Sequence, residues 1–103
     1  MSLDNTAVIL DINTENGTDL IFVVSEFGVI DNLVFTASIY DIDNNVTIPF
    51  TITKDLTAQI ITYKINWNQI SNLAFETAYE WRSDVESGNG LITPLFKGDF
   101  KII

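Results

Sequence analysis

Turn-forming residues recur at short and even intervals along this sequence, and this spacing constrains its fold more than any other feature. They stand at Asn16-Gly17, Asp31-Asn32, Asp43-Asn44-Asn45, Lys54-Asp55, 66–72 and Gly88-Asn89-Gly90. The runs between them are rich in Val, Ile, Phe, Thr and Tyr, which fit the pleated surface of a sheet. Short β-branched runs separated by turns about every ten residues are typical of layered antiparallel folds. The sequence therefore predicts an all-β sandwich.

The runs between the turns predict about seven strands. They cover residues 6–12, 19–25, 33–40, 46–53, 58–67, 77–85 and 91–103. The second run is nearly all apolar, which predicts a central strand covered on both faces. The fourth contains Pro49, which cannot donate to a ladder, so we expect it at an edge or a bulge. The last run is interrupted by Pro94 and Gly98 and is either two short strands or one bulged strand.

Three of these runs alternate and so predict which side chains share one face of a strand. The sets that share a face are Leu33, Phe35, Ala37 and Ile39; Ile61, Tyr63, Ile65 and Trp67; and Tyr79, Trp81, Ser83 and Val85. The aromatic members could form a stripe that stacks on sugars. We favour the core, because one inward face per strand is what closes a sandwich. Residues 66–75 predict one short helical turn near 67–73, capped by Asn68.

Length and charge limit the domain number and the class of partner. The 103 residues are the length of one domain, so we expect a single domain over 1–103. Fourteen acidic side chains against five basic ones give a net charge of −9. This sign suits neither nucleic acid nor an anionic membrane surface, and we expect neither as a partner. The excess of acid either serves solubility alone or forms a face that docks on a basic partner.

The sequence contains no His and no Cys, which removes most enzyme chemistry. Without His there is no Ser-His-Asp catalysis, and without Cys there is no thiolate nucleophile or structural zinc site. Glu80 and Asp84 share one predicted strand face and could pair as in a glycosidase, but Arg82 between them favours a solvated charge cluster. We therefore expect no enzymatic activity and no cofactor.

Two segments rich in Asp and Asn, 11–17 and 41–45, approximate calcium-binding loops. In the second, Val46 stands where an EF-hand loop needs Gly, and Ile52 where it needs the bidentate Glu. Both segments fall at predicted turns, where Asp and Asn hydrogen-bond their own backbone. We interpret both as turns and predict no metal site.

The C-terminal third carries a more specific pattern. A strand containing Tyr79-Glu80-Trp81 leads to a glycine turn and then to a closing strand, Leu95-Phe96-Lys97-Gly98-Asp99-Phe100-Lys101-Ile102. This pattern resembles the C-terminal half of small immunoglobulin-like domains in tailed-phage virions. Those domains occur in upper baseplate proteins and at the heads of tail fibres, and similar sandwiches serve as auxiliary or decoration proteins on capsids. The resemblance implies an immunoglobulin-like antiparallel β-sandwich.

The resemblance also implies a function and a location. We expect a structural subunit of a virion assembled in the bacterial host cytoplasm, where many copies bind a larger protein such as the major capsid protein and stabilise the shell. If residues 1–103 are a whole gene product, there is no room for a receptor-binding module, which favours such an auxiliary subunit over a fibre tip. The alternatives are a baseplate or tail-fibre adaptor and a carbohydrate- or protein-binding module.

The contact residues for such a partner are predicted on the proline-containing edge strand and at the C-terminus. An unpaired edge can extend the sheet of a neighbour. The predicted partner-binding residues are Val46, Thr47, Ile48, Pro49, Phe50, Ile102 and Ile103.

Overall fold

The chain forms two β-sheets, which the computed structural model describes over residues 7–25 and 28–103. The strands are β1 (Val8–Ile9), β2 (Ile12–Thr14), β3 (Leu20–Val24), β4 (Val34–Asp41), β5 (Val46–Pro49), β6 (Thr51–Asp55), β7 (Ile60–Ile65), β8 (Tyr79–Glu86) and β9 (Ile92–Ile102). A one-turn helix, α1 (Trp67–Ile70), lies between β7 and β8. In the part of the chain described, no helix is long and apolar enough to cross a bilayer.

The larger sheet has the order β1-β9-β8-β4-β5, with β2 also pairing with β9, and the smaller sheet has the order β3-β7-β6. This order corresponds to the two packed sheets of immunoglobulin-like sandwiches, and the predicted all-β sandwich is confirmed. The sheets are not wholly antiparallel, because β1 and β2 both run parallel to β9.

The core lies between the inward faces of β4, β7, β8 and β9, and it includes Tyr63 and Trp81 of the aromatic stripe, as predicted. Its largest fully buried side chains are Trp81, Tyr63 and Phe100. The Tyr63 hydroxyl donates to the Ser83 hydroxyl oxygen over 2.8 Å, and the Ser83 hydroxyl donates to the carbonyl of Thr36 over 2.9 Å. Burial raises the pKa of Tyr63 above its ordinary value of 10.0, although its hydrogen bond to Ser83 acts in the opposite direction. This hydroxyl pair joins the two sheets inside an otherwise apolar core.

The first predicted strand is two short strands, β1 and β2, broken at Leu10 and Asp11; its residue 6 lies outside the described residues. The break follows from a close approach to β9. A Cβ on Gly98 would lie 2.7 Å from the carbonyl carbon of Leu10 and 2.8 Å from Oδ1 of Asp11. Glycine is the residue that admits this approach of two backbones. Asp11 then replaces a ladder bond, since its Oδ1 accepts from the N–H of Asp99 over 2.9 Å.

The fourth predicted strand is also two strands, and they belong to different sheets. β5 pairs with β4 in the larger sheet, whereas β6 pairs with β7 in the smaller one. The chain crosses between the sheets at Phe50, whose side chain is buried in the core. Pro49 ends β5, an edge strand of the described sheet, so its predicted edge position is confirmed.

The prediction of a central, doubly covered second strand is wrong. β3 is an edge strand of the smaller sheet in the described chain, and its outward side chains Ile21 and Val23 are 56% and 53% exposed. A uniformly apolar run carries no alternation, so its pattern cannot distinguish a covered face from an open one.

The position of the helical turn differs from the prediction, and the structure decides between the two alternatives for the last strand. The helical turn starts at Trp67, so the residue at its N-terminal cap position is Asn66 and not the predicted Asn68. The N–H of Asn66 donates to Oε1 of Gln69 over 2.9 Å. Trp67 therefore belongs to α1 and not to β7. β9 is one continuous strand with a bulge, because the register with β8 shifts between Ser83 and Asp84.

Candidate functional site

The predicted partner-binding residues do not form one surface. Val46, Thr47 and Pro49 are exposed on β5, and Ile48 is half-buried there. Ile103 is exposed after β9, which β8 and β4 separate from β5. The side chains of Phe50 and Ile102 pack in the core. Any partner surface built from this set therefore consists of two separate parts, and its accessible side chains are those on β5 and that of Ile103.

The outer side of β5 offers few backbone groups to a partner strand. The N–H of Phe50 donates to the carbonyl of Ala37 on β4 over 2.9 Å. Because antiparallel ladders alternate, Ile48 and Val46 also bond toward β4, whereas Thr47 and Pro49 point away from it. Pro49 has no N–H, so within β5 only Thr47 offers an outward donor.

The backbone around the predicted C-terminal contacts is already engaged. The N–H of Ile103 donates to the carbonyl of Thr14 over 2.8 Å, and the carbonyl of Ile103 accepts from Asn16 over 3.0 Å. The carbonyl of Ile102 accepts from the N–H of Glu76 over 2.7 Å. A partner would therefore meet the exposed side chain of Ile103 and not a free strand edge.

The charged residues of β8 lie on the outer face of the larger sheet. Arg82 donates from Nε to Oε2 of Glu80 over 3.0 Å, and its guanidinium carbon lies 4.5 Å above the centre of the Tyr40 ring. This ion pair is the charge cluster predicted for Glu80 and Arg82. Together with Asp84, Glu80 and Arg82 line a groove of about 450 Å³. Its other lining residues are Ala7, Pro94, Phe96 and Lys97.

In each of the two calcium-like segments the first carboxylate, that of Asp11 or of Asp41, accepts hydrogen bonds within the protein. Asp41 accepts from the side-chain amide of Asn44 over 2.9 Å and from its backbone N–H over 3.4 Å, as the turn interpretation predicts. Asp11 accepts from the backbone N–H of Asp99 and so ties the break between β1 and β2 to β9. Within residues 7–25 and 28–103, no three acidic side chains come together as ion ligands.

The aromatic stripe faces the core, as its alternation predicts. Tyr63 and Trp81 are fully buried, and Trp67 and Tyr79 are half-buried against the core. The hydroxyl of Tyr79 accepts from the N–H of Ala74 over 2.7 Å. These four rings are therefore packed into the sandwich and do not form a platform for a sugar.

Large apolar side chains are exposed on edges of both sheets, and sequence reasoning did not find them. Val8 and Ile9 on β1, at the edge of the larger sheet, are 60% and 63% exposed. Ile21 and Val23 expose similar fractions on β3, which belongs to the smaller sheet. We call the side of β1 and β2 that points away from β9 the β1–β2 edge, and the side of β3 that points away from β7 the β3 edge. The absence of any charge from 20–24 was the available sequence signal, but it equally suits a buried strand.

The sequence matches no protein-family model and no curated protein.

Proposed function

We propose that this protein is a non-enzymatic structural subunit of a bacteriophage virion, an auxiliary or decoration protein that binds and stabilises the capsid shell. The observation that carries the proposal is the exposure of large apolar side chains on edges of both sheets, Val8 and Ile9 on one and Ile21 and Val23 on the other. Val8 and Ile9 face opposite sides of their sheet, whereas Ile21 and Val23 lie on one face. Exposed apolar surface of this kind marks places that other proteins cover.

The placement of these side chains on different sheets suits a subunit with more than one neighbour. A decoration protein meets a shell as many copies, each of which buries a modest area across a joint between larger subunits. Repetition of such contacts gives strong overall binding without any single large interface. The net charge of −9 would then steer the subunit toward basic patches on the shell.

The assignment to a virion is supported by the resemblance of residues 77–102 to immunoglobulin-like phage domains. These residues include β8, a turn in which Gly90 has a φ of +86°, and β9 with its Gly98. The particle would be assembled in the cytoplasm of the bacterial host. The partner would be a larger virion protein such as the major capsid protein, present in many copies.

Mass spectrometry of density-purified particles tests this proposal. We expect the protein in particles from the host strain that carries its gene, at a fixed ratio to the capsid protein. Tailless heads from the same strain provide the second arm. Retention in the heads supports a decoration protein, whereas presence only in tails would replace it by the baseplate or tail-fibre adaptor. Absence from all particles would overturn the virion assignment.

A further inference from the structure

We propose that the β3 edge is where an extended segment of a partner protein adds a strand to the smaller sheet. β3 pairs with β7 along its whole length, and no other strand of the described chain lies on its far side. A strand with one unpaired side presents a row of backbone N–H and C=O groups. An extended peptide can satisfy these groups by continuing the sheet.

The other sheet edges of the described chain each carry a feature that opposes strand addition. The β1–β2 edge is short and is interrupted at Asp11, and β5 has Pro49 at an outward position. β6 carries Lys54 on the inward face, in register with Ile61, and its Nζ donates to the carbonyl of Leu33 over 2.6 Å. Short strands, proline and inward charges are the features by which proteins protect their edges. β3 contains no charge, no proline and no bulge.

The core is incomplete beside this edge. The inward side chains of β3, namely Leu20, Phe22 and Val24, remain half-buried, whereas their partners on β7 are fully buried. The ring of Phe22 stacks on Tyr63 with centroids 4.7 Å apart, so its exposed edge is continuous with the core. A strand added beside β3 would cover these three side chains on one face and Ile21 and Val23 on the other. Burial of apolar surface on both faces would therefore favour its binding.

Charge favours a partner segment over a second copy of this chain. Each copy carries a net charge of −9, and Asp19 immediately precedes β3, so self-pairing would bring like charges together. The segment that fits has Val, Ile or aromatic side chains at alternate positions and Lys or Arg at its ends. This inference rests on the proposed function only in taking the partner to be a protein.

A synthetic peptide of alternating Val and Thr with Lys at both ends is the probe for this edge. We expect the outward amides of β3 to exchange their hydrogens about tenfold more slowly when the full chain is saturated with the peptide. N-methylation of alternate peptide nitrogens removes the donors that a ladder needs, and Glu at the ends reverses the charge. Either change should weaken binding about tenfold.

Val23→Lys and Val34→Lys form a matched pair of variants. The two valines are 53% and 56% exposed, the first on the outer face of β3 and the second on that of β4. We expect Val23→Lys to weaken peptide binding about tenfold or more, and Val34→Lys to leave it unchanged. Urea unfolding of both variants checks that the fold is retained. An equal loss of binding in both variants would contradict the proposal.

Several outcomes would overturn the proposal. These are protection of β5 or β6 amides in place of β3, and no response of β3 at about 1 mM peptide. Protection of the outward β3 amides without peptide would also overturn it. If this protection rises with protein concentration, a second copy of the chain occupies the edge. If it disappears when residues 1–6 are removed, a segment of the same chain occupies the edge. A β3 response from a protein that is absent from particles would sink the virion assignment alone.

Discussion

The β1–β2 edge and the β3 edge both expose apolar side chains, but they are held in different ways. At the β1–β2 edge, the N–H of Leu10 donates to the carbonyl of Lys97 over 2.8 Å, and the carbonyl of Leu10 accepts from Nε1 of Trp81 over 2.6 Å. Asp11 adds a side-chain bond to Asp99. β3 depends on the ladder with β7 and on the contacts of its inward face. The first edge is thus fixed by groups from two distant strands, whereas the second keeps a side that can accept another strand.

Gly98→Ala should disrupt the β1–β2 edge and lower the free energy of unfolding more than the other substitutions proposed below. The new Cβ would lie 2.7 Å from the carbonyl carbon of Leu10, so a backbone must move. We expect a loss of about 3 kcal/mol in the free energy of unfolding, measured by urea denaturation. Gly88→Ala is the control, because its Cβ would meet Asn32 at 3.9 Å, an ordinary contact. Similar losses in the two variants would show that the close approach is not the cause.

Tyr63→Phe tests the core behind the β3 edge. Removing the hydroxyl deletes the hydrogen bond to Ser83 and should cost about 1 kcal/mol near pH 7. The pKa of Tyr63 is raised in the folded protein, so the unfolded chain loses this proton first as the pH increases. Stability from this group is therefore complete below about pH 10 and falls as the pH rises through the raised pKa.

Urea unfolding at a series of pH values measures this effect. The wild-type protein should lose stability above about pH 10 more steeply than Tyr63→Phe does. Identical slopes for the two proteins would contradict the assigned burial of this hydroxyl.

Asp11→Ala should loosen the β1–β2 edge without unfolding the domain. It leaves the N–H of Asp99 without its acceptor, and we expect a loss of about 1 kcal/mol. Hydrogen exchange should accelerate at Asp99 and at Leu10 and stay unchanged in β3. Asp43→Ala, on the exposed β4–β5 turn, is the comparison variant and should change stability by less than about 0.5 kcal/mol. An effect of Asp11→Ala that spreads to β3 would mean that the two edges are coupled.

Val23→Thr should have the smallest effect on stability. The side chain of Val23 is exposed and threonine has the same shape, so the free energy of unfolding should change by less than about 0.5 kcal/mol. Ile61→Thr is the contrasting variant. Because Ile61 is fully buried, this substitution should lower the free energy of unfolding several times as much. Comparable losses would place Val23 in the core, and the β3 edge would then be covered.

The sequence predicted those parts of the fold that depend on local alternation. Phe35, Ala37 and Ile39 on β4 and Tyr63 on β7 lie inward because a period of two places every second residue on one face. The switch of sheets at Phe50 was not predictable in this way, since it depends on which distant strand each half of the run meets. The open side of β3 was missed for the same reason.

The candidate surfaces were predicted less well than the fold. Pro49 correctly indicated an edge, because its missing N–H is a local property. Ile102 was expected at a partner surface, but it lies two residues after Phe100 and shares its buried face. Exposure of Val8 and Ile9 depends on β1 being the outermost strand beside β9, which only the tertiary pairing defines.

The parallel pairing of β1 and β2 with β9 has a mechanical consequence. Residue 8 pairs with residue 96 and residue 14 with residue 102, so β1 and β2 run in the same direction as β9. Force applied at residue 8 and at residue 103 would pull β1 and β2 past β9 along its length. All the hydrogen bonds between them would then bear the load together, instead of opening one after another as a zipper does. A domain joined to its neighbours through these ends would resist stretching better than its number of hydrogen bonds alone suggests.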